Sequence, residues 1–194
     1  MKKISIILLL SMIIFSADSC KKGENDPFIS LKSRKARLVG EWKLVEGNTS
    51  VISTSGTDTY TFTESMLTSV ESGVSTTKAY TESFTFGKDG KYKYSSNTDN
   101  GVETEDEEGV WTFGVKSVEL DQKAKETVVL YQQKYTSVSN GTVFTYSYNG
   151  TNCVMYRFTL DMLKSNKMTL KVDYIYSGTS TSYNKVGTMI YEKQ

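Results

Sequence analysis

The chain of 194 residues contains no histidine. That absence removes the Ser/His/Asp and Cys/His nucleophilic arrangements, a histidine general base, and any histidine-ligated metal centre. An excess of charge of one sign is missing as well. Without the first nineteen residues, which hold Lys2, Lys3 and Asp18, there remain 21 basic and 21 acidic side chains. A nucleic-acid partner would call for a basic excess or stripe, so none is expected. Long hydrophobic runs are scarce. The one present, Ile4 to Phe15, covers about 12 residues, which is too short to span a bilayer. With one proline, Pro27, punctuation falls to Gly, Asn and Asp, and the length suits one domain with a single core.

The short apolar run follows Lys2 and Lys3 and ends at Ser16-Ala17-Asp18-Ser19-Cys20. A positive start, an apolar stretch and small residues make an export signal, assigned to residues 1–19. The closing segment resembles the lipobox of bacterial lipoproteins, departing from it at Ala17 and Asp18. The resemblance implies that Cys20 is acylated and becomes the mature N-terminus; the alternative is ordinary cleavage that leaves a free thiol. Residues 20–30 are read as the lipidated cysteine and a flexible tether, because Lys21-Lys22-Gly23-Glu24-Asn25-Asp26-Pro27 offers nothing to pack. Such a start looks like lipoproteins of the Bacteroidota. It implies a lipid-anchored protein of the outer membrane, on its periplasmic or cell-surface face. With Cys20 as a thioether, Cys153 has no partner for a disulfide and is expected as a small apolar residue, buried or half-buried, in a strand.

Residues 31–194 form the body. From Val39 onward the dominant pattern is period-two alternation of Thr, Ser, Tyr, Val and Phe, which makes strands with one apolar face. Phe84 and Phe86, then Gly87-Lys88-Asp89-Gly90, then Tyr92 and Tyr94 read as a hairpin, since Asp-Gly supplies the positive φ of a tight turn. Ser139-Asn140-Gly141-Thr142 marks a second hairpin, and Asn149-Gly150 and Ser165-Asn166 mark further reversals. One helix is expected, Ser30 to Val39, with Leu31 and Leu38 on the buried face and Lys32, Arg34, Lys35 and Arg37 exposed. The total is eight to ten antiparallel strands. Short connections favour a single up-and-down β-barrel, with a β-sandwich as the alternative.

Gly40-Glu41-Trp42, opening the first strand just after a short helix, resembles the start of the lipocalin barrel. The hairpin Phe84 to Tyr94, the run Gly109-Val110-Trp111-Thr112-Phe113, and Phe158-Thr159-Leu160 followed by Met168 to Val172 are similar to lipocalin-like lipoproteins of Bacteroidota. The likeness spans about Leu38 to Lys193. It implies that Trp42 plugs the closed end of the barrel. Lipocalins cover that tryptophan with an arginine from the last strand; here the arginine is missing, and Lys193 is the residue able to replace it.

Chemistry beyond this is sparse. The acidic run Glu103, Glu105, Asp106, Glu107 and Glu108 fails the spacing of a calcium loop and is read as a solvated loop between strands. Ser75-Thr76-Thr77-Lys78 matches Ser-x-x-Lys but lies among strand-like runs, where the serine cannot open a helix. Asn48-Thr49-Ser50 and two similar triplets are read as turns. No catalytic set, metal site or cofactor emerges, so an enzyme is not expected. Aromatic residues remain. Tyr60, Phe62, Phe84, Phe86, Tyr92 and Trp111 are the candidates to line a ligand cavity, since rings hold apolar faces and an eight-stranded barrel is wide enough. The expected function is a lipid-anchored protein binding a small apolar or amphipathic ligand in the barrel. The alternative is a non-enzymatic interaction or structural lipoprotein whose filled barrel presents loops to a protein or glycan.

Overall fold

The alternation forms strands throughout, in a computed structural model that describes residues 25–27, 30–119, 123–148, 153–177 and 182–194. The export signal and Cys20 lie outside the described residues, as does the Asn149-Gly150 reversal. Eleven strands follow in order: β1 (Gly40–Ser53), β2 (Gly56–Thr63), β3 (Met66–Glu71), β4 (Val74–Phe86), β5 (Lys91–Thr98), β6 (Glu103–Phe113), β7 (Thr127–Ser139), β8 (Thr142–Ser147), β9 (Val154–Leu163), β10 (Lys167–Ser177) and β11 (Ser182–Lys193). All pair antiparallel. Ten of them close a barrel: β1 to β6 run in chain order, β6 meets β7, and β7, β9, β10 and β11 lead back to β1. This is the barrel that the hairpin spacing implies, and not a sandwich.

The barrel has unlike ends. At its base Gly40 to Lys43 of β1 pair directly with Phe86 to Ser83 of β4, bypassing β2 and β3, so eight of the ten strands make the ring there. Higher up, β1 leaves β4 and pairs with β2 instead, from Glu46 to Ser53. A register shift between Leu44 and Glu46 against β11 marks the divergence. The strand β8 is not one of the ten and takes up the edge of β7 beyond β9. It pairs with Lys134 to Ser139 of β7, whereas Thr127 to Gln132 of that strand pair with β9. The turn between β7 and β8 is the expected one, with Asn140 at φ 49° and Gly141 at φ 80°.

The base is packed shut. Trp42 is fully buried in the core that also holds Leu38, Phe86, Leu160 and Met168, and its indole N–H donates to the Leu38 carbonyl at 2.7 Å. Lys193 lies over the indole ring, its Nζ 5.0 Å from the ring centroid, and donates to the carbonyls of Arg37 (2.9 Å) and Val39 (2.5 Å). Gly40 is needed beside it. Its φ is +137°, and a Cβ there would stand 2.3 Å from Lys193 Cε.

The helix is shorter than expected. α1 spans Arg34–Leu38, and Ser33 caps it by accepting from the Ala36 N–H at 3.1 Å. Leu38 is buried, but Leu31 is fully exposed rather than sharing its face. Arg34 and Arg37, read as exposed, are buried instead. Both reach Asp26 Oδ2, at 3.5 and 3.2 Å, and Asp26 Oδ1 accepts from the Leu163 N–H at 2.7 Å. Arg34 also donates to the Leu160 carbonyl. Asn25 and Asp26 thus belong to the folded body, because a carboxylate between two guanidinium groups can be buried where a lone one could not.

Candidate functional site in the barrel lumen

Above the packed base the barrel holds a cavity of about 320 Å³. Its position follows from the strand pattern. On β4, Phe86 belongs to the base, while Phe84, Glu82 and Tyr80 face the same side at successively higher levels. On β5, Tyr94 faces in beside Phe84, with ring centroids 4.9 Å apart. Leu130 of β7, Phe158 of β9, Leu170 of β10 and Met189 of β11 supply the apolar wall.

Polar groups are set into that wall. The Glu82 carboxyl is only 7% exposed and accepts two hydroxyl protons, from Tyr80 at 2.5 Å and from Tyr191. Burial pushes its pKa up, opposed by those hydroxyls and by the Lys185 ammonium. Burial likewise lowers the pKa of Lys185, while Glu82 and Glu105 pull it back up. Glu107 is raised to about 7 by burial, against the Gln132 amide and the Tyr92 hydroxyl, which lies 3.3 Å away. Glu105 stands nearer the open end and accepts from the Tyr135 hydroxyl at 2.9 Å. Thr49 of β1 also lines the cavity. It is 1% exposed, and its Oγ1 has no hydrogen-bond partner.

The acidic run is therefore not a solvated loop. Glu103 to Phe113 is one strand, paired on both sides, and Glu105 and Glu107 line the lumen. The phase was readable: Glu105 and Glu107 share the parity of Gly109 and Trp111, so an inward tryptophan carries both carboxylates inward. Gly109 completes that face, since a Cβ there would stand 2.1 Å from the Tyr131 carbonyl oxygen. Asn48-Thr49-Ser50 is likewise strand rather than turn.

The aromatic candidates divide by height. Phe62 and Phe84 line the cavity, whereas Tyr60 does not and packs part-buried against the core. Phe86, Tyr92 and Trp111 lie in the base below, where Trp111 meets Phe86 edge-on at 5.6 Å. Tyr80, Tyr94, Tyr156 and Tyr191 line it too, outside the sequence-derived set. Cys153 is a half-buried free thiol. A scan against protein-family models finds no match to this chain, and a search of the curated proteins finds none similar to it.

Proposed function

We propose that the protein is a lipid-anchored, lipocalin-like carrier or receptor that holds a small amphipathic molecule in the barrel lumen. The observation that carries this reading is the cavity: about 320 Å³, apolar below and polar toward its open end, above a base sealed by Trp42. Binding sites for small molecules have this volume and this mixture of apolar wall and a few placed polar groups. A barrel filled by its own side chains, as the interaction-lipoprotein alternative requires, would leave no such space. Anchoring rests on the lipobox-like Ser16-Ala17-Asp18-Ser19-Cys20 after a short apolar run. The short chain between Cys20 and the packed Asn25 would hold the barrel close to the outer membrane.

The cavity is tested with 4-dimethylaminobenzonitrile, a neutral dye small enough for this volume, whose emission rises in apolar surroundings. A saturable rise with one dye per protein is expected, clearly weakened in Val172→Trp, whose added ring atoms narrow the lumen, while the melting temperature stays within a few degrees. A rise with unchanged affinity in the narrowed lumen would place the dye elsewhere and defeat the reading. Anchoring is tested separately, by incorporation of labelled palmitate into the native chain and its loss in Cys20→Ser.

A further inference from the structure

The charges in the lumen are unequal. Glu82, Glu105 and Glu107 line it, and Lys185 is the one basic side chain among the described residues that do. That ammonium already faces Glu82 and Glu105. A ligand carboxylate or phosphate would meet three acids and a cation whose charge is already engaged. A cationic head group meets the opposite situation. Tyr80, Tyr94, Tyr156 and Tyr191 are set around the same space, and aromatic faces attract ammonium groups in desolvated sites.

A second observation points to a polar group on the ligand, without choosing its charge. Thr49 Oγ1 lies in the lumen wall, buried and without a partner. A buried hydroxyl left unpaired costs free energy, and a polar group on a bound molecule, donor or acceptor, would satisfy it. Metal ions fit less well. Among the described residues no group of three or more His, Cys, Asp and Glu converges closely enough to hold one. Acids spread over β4 and β6 suit a head group that is itself extended, with several donors or a diffuse charge.

Resting on the lumen as a ligand site, we infer that its ligand is an organic cation: an amine or other ammonium-bearing molecule with an apolar aromatic or aliphatic body. At about 30 Å³ per water-sized group, the cavity accepts roughly ten non-hydrogen atoms. The apolar body lies against Phe84, Leu130, Phe158 and Leu170, and the head group lies at the level of Glu105 and Glu107.

Three probes with one body and different heads test this: 4-phenylbutylamine, 4-phenylbutanol and 4-phenylbutyrate, titrated calorimetrically into the full chain carrying Cys20→Ser at about pH 8, where Glu107 is ionised. The amine is expected to bind about tenfold tighter than the alcohol, a difference one charge-assisted contact supplies, and the carboxylate weakest. Glu105→Gln lies at an exposed position where folding is safe, and with Glu107→Gln it is expected to shrink the amine's advantage several-fold while alcohol affinity stays within about twofold. Alcohol or carboxylate binding as tight as the amine's would overturn the inference and leave the lumen reading standing. So would failure of all three probes while the neutral dye still binds. Failure of the dye and the probes together would overturn both.

Discussion

Asp26 shows how one carboxylate settles where the folded body begins. It holds Arg34 and Arg37 and accepts a strand N–H, all out of solvent. Removing one partner from such a buried set leaves charge uncompensated, so Asp26→Ala is expected to cost about 3–5 kcal/mol in chemical denaturation. A loss under about 1 kcal/mol would mean that the cluster is wetter than its burial implies. Glu107 makes a second residue-scale prediction. Its folded pKa, about 7, stands above the ordinary carboxylate value. The protonated form is thus favoured by folding, and its stabilisation is present in full below the unfolded pKa and lost as pH rises through about 7. Gln132 of β7, Tyr92 of β5, Glu82 of β4, Tyr156 of β9 and the neighbouring Glu105 all face it. Unfolding free energy is expected to fall by roughly 2 kcal/mol between about pH 5 and pH 8, and the fall should be smaller in Glu107→Gln. An unchanged slope in that variant would remove Glu107 from the account. The base residue Trp42 was legible because Gly-x-Trp is a local pattern. The burial of Arg34 and Arg37 and the inward placement of Glu105 and Glu107 were not, because charge density suggests solvent while burial and facing depend on partners far along the chain.

Among the elements, the strands were the most legible and their limits the least. Period two and the Asp-Gly and Asn-Gly steps mark β4, β5, β7 and β8 directly, since a turn of that kind permits little else. Nothing local marks the point where β1 leaves β4 for β2, because that choice is made by partners and not by the strand's own residues. The helix was over-extended for a similar reason: Leu31 has the right spacing, but no core lies beneath it. The strand β8 is a distinct case. Every residue in it is exposed, and Val143, Phe144 and Tyr146 show apolar surface on a strand paired on one side only. Phe144→Lys is therefore expected to change the melting temperature by no more than a degree or two, and to reduce self-association, as a charge on an edge strand does. A large thermal loss would show that β8 is covered in solution.

At the scale of the whole molecule, one pairing choice makes a container. Eight strands meet around Trp42 and shut the base, and the extra hairpin of β2 and β3 widens the ring above it. The volume left over is of ligand size and lies above the base that Leu38, Trp42 and Lys193 close. Native mass spectrometry of the chain, isolated gently from the cells that make it, tests the central claim most directly. An added mass is expected at one copy per protein, lost on denaturation and at much lower occupancy in Val172→Trp. A bare protein mass under the same gentle conditions, and again after incubation with cell extract, would contradict it.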